Sequence, residues 1–144
     1  MSHVAVFLGD FRKVITRQTK HYFEERWTFF DCRGDVTISK KAHFGFGVKI
    51  VSASHRYNPE IDDDNLGKMN RKTVIVDDHA WIGSHALLYD CHVNHHAVVG
   101  AGAVVKGVIV PSYSIVEGNP AKVISIYIGG RPQRLEEPIG LEKF

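Results

Sequence analysis

The sequence predicts an all-β chain wound as a parallel β-helix, with one excursion loop and short caps at its N- and C-terminal ends. Three observations carry that prediction. Apolar anchors recur every sixth residue at Val76, Ile82 and Leu88, and after one missing residue the count resumes at Val93, Val99 and Val105. A small residue follows most anchors four positions on, at Ala80, Ala86, Ala97 and Ala103. The same count runs upstream through Ile38, Phe44 and Ile50, with Ala42, Val48 and Ser54 at the small positions. A period of six fits neither a helix at 3.6 nor a simple strand at 2, and a fixed short period marks a repeat architecture. Short strands that meet at corners in stacked coils satisfy it, with the anchor inward and the small residue beside a tight corner. A sandwich of short strands would not keep so strict a spacing.

The regular coils are expected over about 36–55 and 74–124, within a single domain spanning 1–144. Ahead of them, residues 3–8 read as a short strand. Asp10 is placed to cap a helix whose apolar face is Phe11, Val14, Ile15, Tyr22 and Phe23, ending at Glu24, Glu25 and Arg26. One irregular first coil of the solenoid is the alternative. Some cap is needed in either case, because an open β-helix end exposes backbone groups and core. Residues 27–30 are β-prone, and Asp31-Cys32-Arg33-Gly34-Asp35 reads as a turn into the first hexads.

Between the two blocks the period stops. The loop 56–73 is polar, carries Pro59 and Gly67, and contains Asp62, Asp63 and Asp64. A long excursion from a regular solenoid is usually functional. The aspartate run reads as a solvated loop tip, since the spacing of an EF-hand is absent. Beyond Ile124 the pattern fades, residues 125–128 alternate as a final strand, Gly129-Gly130-Arg131-Pro132 breaks it, and a charged tail runs to Phe144.

Composition narrows the classes. The 144 residues suffice for one core. A net charge of +2, from 18 basic and 16 acidic residues intermixed, gives no case for a nucleic-acid partner. No apolar run reaches the length of a membrane span, and the first residues lack the pattern of a signal peptide. Two isolated cysteines, Cys32 and Cys91, make no disulfide framework and fit a reducing cytoplasm. Nine histidines keep metal binding in view.

Three segments together carry a family resemblance: Ala80-Trp81-Ile82-Gly83-Ser84-His85, Val99-Gly100-Ala101-Gly102-Ala103 and Gly118-Asn119-Pro120-Ala121-Lys122. With the histidine-bearing loop ahead of the first, they resemble the hexapeptide-repeat acyltransferases, and most of all the galactoside, maltose and polysaccharide sugar O-acetyltransferases. The likeness covers roughly residues 28–125. It implies a left-handed parallel β-helix, a homotrimer with active sites between adjacent prisms, and acetyl-CoA lying along the coils. Ser54-His55-Arg56-Tyr57 stands where the family has its catalytic histidine. Met69 matches a methionine on the substrate side, Tyr57 joins the same acceptor group, and Asp31 resembles an aspartate that holds the acceptor. The chain departs from the galactoside enzymes in a shorter N-terminal segment, one residue dropped at Tyr89 to His92 and one gained near Gly107. The expected acceptor is a sugar or sugar-like hydroxyl; an amine, an antibiotic or another acyl group stays open.

Acetyl transfer from a thioester to a hydroxyl needs a base, an oxyanion donor and a groove for the pantetheine arm. Histidine suits the first because its pKa lies near neutrality, and the resemblance gives that role to His55. It gives the oxyanion donor to the Ser84 main chain beside Gly83, with Trp81 walling the reacting centre. Gly100, Ala101, Gly102 and Gly118, Asn119, Pro120, Ala121, Lys122 are the cofactor-binding expectation, with Lys122, Arg131 or Arg134 reaching phosphate. Each has a plainer reading: a corner histidine, a surface aromatic, glycines for corner geometry, a surface cation. No metal is expected in the reaction. The competing readings are a γ-carbonic-anhydrase-like metal protein and a non-catalytic scaffold. His79, His85, His92, His95 and His96 crowd together, but matching Leu88 to Val105 puts Ser84 and Tyr89 where two of that family's metal histidines stand.

Overall fold

A computed structural model of the protein describes residues 6–61 and 67–144. Three parallel sheets wrap one core. Face I stacks Val6–Leu8, Phe29–Asp31, Lys49–Val51, Leu87–Tyr89 and Val104–Lys106. Face II stacks Ile15–Thr16, Asp35–Ile38, Thr73–Val76, Cys91–Val93 and Val108–Val110. Face III stacks His43–Phe44, Trp81–Ile82, Val98–Val99 and Ser114–Glu117. Each coil runs from face II to face III to face I. Neighbouring coils pair Trp81 with Val98, Val98 with Ile115, and Leu87 with Val104, so a regular turn takes seventeen residues (81 to 98, 98 to 115).

The inward positions are the expected ones. Val76, Ile82, Leu88, Val93, Val99 and Val105 are buried to within 1% of full burial, and Ala80, Ala86, Ala97 and Ala103 line the inner corners at 0% exposure. The residue missing from three sixes is at the corner between faces I and II. There Asp90 turns the chain alone at φ 48°, and Gly107 does the same one coil later at φ 67°.

The excursion loop is a closed detour. It leaves face I at Ser52, opens as Ala53–His55 paired antiparallel with Met69–Arg71, and returns where Lys72 N–H bonds the Ser52 carbonyl at 2.7 Å. The hexad count therefore ends at Ile50. Ser54, expected at an inner corner, has left the coil, and the buried Ser52 fills that corner with its hydroxyl on the Asp31 carbonyl. A β-carbon on Gly34 would overlap the carbonyl oxygens of Ser52 and Lys72, so only glycine fits this crossing. The run Asp62–Asp64 lies outside the described residues.

The N-terminal cap is not one helix. Asp10 does cap, accepting from Arg12 N–H, but only the 3₁₀ turn Phe11–Lys13 follows. The β-branched run Val14-Ile15-Thr16 prefers a strand and adds Ile15–Thr16 to face II beside Thr37–Ile38. Ile15, expected on the apolar face, is 69% exposed. Thr19 then caps a second short helix, Lys20–Glu24. Phe7, Phe11, Phe23, Phe30 and Phe44 close the end of the core in edge-to-face and stacked contacts of 4.8–6.1 Å.

At the other end the parallel run stops at Glu117. The expected coil to Ile124 is replaced by a reversal: Lys122–Ile128 runs antiparallel on Ser114–Glu117, and Arg131–Ile139 runs antiparallel on it after the Gly129-Gly130 turn. The charged tail is thus a hairpin strand, and Glu142–Lys143 pairs with Val108–Ile109 on face II. No helix of the described residues is long and apolar enough to cross a membrane.

Two substitutions test this architecture by urea denaturation. Leu88→Ala removes a side chain with 0% exposure and is expected to cost about 2–5 kcal/mol, while Leu87→Ala, outward on the same strand, costs clearly less. Gly34→Ala is expected to cost about 1–3 kcal/mol by overpacking the crossing.

Candidate functional site

The solenoid sorts the candidate residues onto its edges. His55 ends the strand that starts the excursion, at the edge between faces I and II, directly opposite Met69. Its ring is exposed, and Nδ1 lies 3.3 Å from the Gly67 carbonyl. A proton on Nδ1 donated to that carbonyl leaves Nε2 as the open acceptor. Ser54 beside it accepts a hydrogen bond from the Tyr89 hydroxyl at 2.9 Å, which ties the hairpin to the next coil. Tyr57 is 55% exposed and Met69 is half-buried.

Asp31 is buried beneath this edge. Arg33 donates to both its oxygens, Nε to Oδ1 at 2.9 Å and Nη2 to Oδ2 at 2.7 Å, and the carboxylate raises the guanidinium's pKa. The carboxylate expected to hold an acceptor is therefore already engaged by its own chain.

The glycine motifs occupy the edge between faces III and I. Ser84 and Ala101 stand one above the other there, seventeen residues apart, in the turns that follow Ile82 and Val99. A β-carbon at Gly83 would stand 2.5 Å from the Ala101 nitrogen and 2.8 Å from the Val99 carbonyl oxygen, so the coils approach closely only because 83 is glycine. At Gly100 a β-carbon would meet the Glu117 side chain at 2.6 Å, and Gly102 turns its corner at φ 69°. The Ser84 hydroxyl accepts from Phe46 N–H at 3.2 Å. The backbone N–H groups of Ser84 and Ala101 have no hydrogen-bond partner among the described residues. Adjacent coils lie about 4.8 Å apart, so this edge carries a short row of peptide donors left unpaired among the described residues.

The reversing turn Gly118 to Lys122 folds over the same edge. Val104 N–H bonds the Gly118 carbonyl at 2.9 Å and Ala121 N–H bonds the Val104 carbonyl at 3.0 Å. Gly118, Asn119, Pro120 and Lys122 are exposed, and Ala121 is 7% exposed. A groove of about 670 Å³ runs across face I from Ala53 and Ser54, past Tyr89 and Lys106, to Asn119. It joins the neighbour of His55 to the reversing turn.

Trp81 lies elsewhere, 56% exposed on face III between His43 and Val98. Within one chain the base candidate, the indole and the peptide donors occupy three different parts of the prism. The sequence reading missed Tyr89 and Lys106, which no motif marks, and the rings around Trp81. Those rings had a signal: His79, His96 and Tyr113 are spaced by the coil length of seventeen.

The other reactive groups are occupied. Burial pushes the Cys91 thiol up to about 12 and raises that of Cys32 as well, so neither is a ready nucleophile. His92 Nε2 sits 2.7 Å from Asp77 Oδ2, and His95 and His96 face each other through Nδ1 atoms 3.0 Å apart. Among the described residues no three His, Cys, Asp or Glu side chains converge as metal ligands would.

No family model matches the chain. Its fold is shared with solved structures. A maltose O-acetyltransferase from Clostridium difficile 630 superposes with a TM-score of 0.61 at 24% identity, over 71% of this chain and 54% of that one. AntD, an N-acyltransferase from Bacillus cereus in complex with dTDP and 3-hydroxybutyryl-CoA, gives 0.59 at 18% identity, over 71% and 57%. A hexapeptide-repeat-containing acetyltransferase from Vibrio cholerae O1 biovar eltor, complexed with acetyl coenzyme A, gives 0.59 at 18%, over 84% and 64%. The chain spans less than two thirds of each of these neighbours. At these identities the likeness is one of fold, and it agrees with the family that the sequence motifs resemble.

The Cys91 environment has a pH consequence. A folded-state thiol pKa raised from 9.0 to about 12 contributes stability that is complete below pH 9 and is lost as pH climbs towards 12, because the unfolded thiol ionises first. Each pH unit in that window shifts the equilibrium towards unfolding by up to about tenfold. Denaturation midpoints at pH 8 and pH 11 should therefore separate further for the wild type than for Cys91→Ala.

Proposed function

We propose that the protein is an acetyl-CoA-dependent O-acetyltransferase acting on a hydroxyl of a sugar or sugar-like acceptor. The observation that carries this is the row of unpartnered peptide N–H groups at Ser84 and Ala101, on an edge that Gly83 keeps narrow. Peptide donors fixed by a rigid coil need no reorganisation to meet an oxyanion, and one such donor is worth about 3–4 kcal/mol of barrier. The coils have the left-handed sense of the resembled family, and three copies assemble with a site at each interface. That assembly answers the geometry of the single chain, in which His55 and Ser84 lie on different edges: one copy supplies His55 and its neighbour supplies Ser84 and Trp81.

In this reading Nε2 of His55 removes the acceptor hydroxyl's proton as its oxygen bonds the acetyl carbon. The Ser84 N–H holds the negative oxygen of the tetrahedral intermediate. The carbon–sulfur bond then breaks, and the proton passes from His55 to the departing thiolate. Transfer is direct, with no acyl-enzyme, which the high thiol pKa of both cysteines supports. Acetyl-CoA lies along Gly100, Ala101 and Gly102 towards Gly118, Asn119, Pro120, Ala121 and Lys122. Asp31, Tyr57 and Met69 line the acceptor side, Asp31 by positioning Arg33. Free thiols fit a reducing, cytoplasmic setting.

Thiol release from acetyl-CoA in the presence of a sugar panel tests the proposal. His55→Ala should lose about 10²–10⁴-fold in turnover while acetyl-CoA affinity stays unchanged. Trp81→Ala should also be impaired. Co-assembling the two inactive chains should restore roughly a quarter of wild-type sites, as random pairing of copies requires when two chains build one site. Full activity in His55→Ala, or no recovery on mixing, would contradict the assignment.

A further inference from the structure

At the edge between faces II and III, three successive coils place a ring in the left-handed corner position: His79, His96 and Tyr113, at φ 59°, 58° and 58°. The other edges fill such corners with Gly47, Gly102, Gly107 or Asp90, and with rings only at Trp27 and His85, which are not on successive coils. Histidine is tolerated there, but tyrosine is disfavoured relative to glycine or asparagine, and strain of the kind Tyr113 carries persists where surroundings or function hold it. The three rings form a column. His79 and His96 have centroids 4.8 Å apart, and His96 and Tyr113 lie 4.9 Å apart and within 18° of parallel. His95 meets both His96 and Tyr113 edge-on. With ring faces turned to one another, what the column offers sideways is edges, which carry the phenol hydroxyl and the imidazole nitrogens other than His96 Nδ1, which faces His95.

Beside the column the outward side chains of face III are Trp81, with its indole exposed, and Val98. The far wall is Tyr127 and the Gly129-Gly130 turn, anchored by Tyr127 N–H on the Tyr113 carbonyl at 2.8 Å. A β-carbon on either glycine would meet nothing within 4 Å, so the turn leaves the space open. The groove between the walls measures about 550 Å³, within the size of small-ligand sites. Among the described residues none of its lining is Lys, Arg, Asp or Glu.

We propose that this groove binds a neutral pyranose ring of a glycan. A phosphate would find no lysine or arginine here and an ammonium group no carboxylate, so neither has the permanent counter-charge that such groups usually need when they leave water. A pyranoside carries no charge, sets its C–H face against the Trp81 indole, and turns its hydroxyls to the edges of His79, His96 and Tyr113. A planar heterocycle uses the indole but leaves most of those edge groups without a counterpart. The inference rests on the transferase reading only in that Trp81 serves both sites. It then extends that reading: the acceptor is part of a longer glycan that runs along face III from Trp81 towards Tyr113.

The test is an amide NMR titration of the full chain without acetyl-CoA, using maltotriose and chitotriose as neutral glycans and AMP as a charged planar control. At least one glycan should shift the Tyr127, Gly129 and Gly130 signals saturably, and AMP should leave them unmoved. Tyr113→Asn removes the ring but keeps a residue that tolerates a left-handed corner, and it should weaken the glycan effect by about tenfold or more. Two results would overturn the proposal: no glycan shift up to about 20 mM, or shifts confined to other surfaces or produced equally by AMP. Acetyl-CoA binding is measured separately, so failure of the transferase reading and failure of the glycan groove give different results.

Discussion

A coil that repeats every seventeen residues sets each residue over its counterpart, and the rest of the molecule follows from that stacking. Inside, a coil gives one inward apolar side chain on each of faces III and I and two on face II, as at Val74 and Val76 or Cys91 and Val93, and the alanines at 80, 86, 97 and 103 leave room for corners. Along the faces, neighbouring coils satisfy one another's backbone groups. At the corners the ladder is interrupted, and a left-handed residue must turn the chain. Peptide groups there face outward or find side-chain partners, as Phe46 finds the Ser84 hydroxyl. Chemistry is therefore available at the edges of the prism and scarce on its faces.

The three edges have been put to different use. One is a crossing where Gly34, Ser52 and Lys72 meet, and it launches and recovers the excursion that carries His55. One is lined with small residues and unpaired donors at Ser84 and Ala101. The third carries the ring column of His79, His96 and Tyr113. Because these edges point in different directions, no single chain brings His55, Ser84 and Trp81 to one edge. The proposed site therefore draws on separate copies, which is the physical reason for proposing an assembly.

Much of this was legible from residue spacing. The inward anchors, the corner alanines and the residue dropped between Tyr89 and His92 follow from the period alone, since burial dictates each of them. Gly83 stands in the motif beside Ser84, and the coil that carries Val99 to Ala101 leaves no room for a β-carbon on it. The caps were not legible. Residues 11–24 carry an apolar pattern that suits a helix, but the β-branched residues at 14–16 found an open sheet edge and took it. The tail reads as charged in the sequence, and Arg131–Ile139 is exposed except at Leu135; its pairing depends on the free edge of Lys122–Ile128, which no period announces. Asp31 was matched as an acceptor ligand, and only the arrangement of side chains revealed that Arg33, two residues on, already holds it.

The account stands on the peptide donors at the edge between faces III and I. Their amide signals during titration of the wild-type chain with acetyl-CoA test it most directly. The account predicts that Ser84 and Ala101 shift downfield and saturably, with smaller changes at Gly118 to Lys122 and none on the outer strand Arg131–Ile139. Saturable acetyl-CoA binding that leaves Ser84 and Ala101 unmoved, or no binding at all, would contradict it.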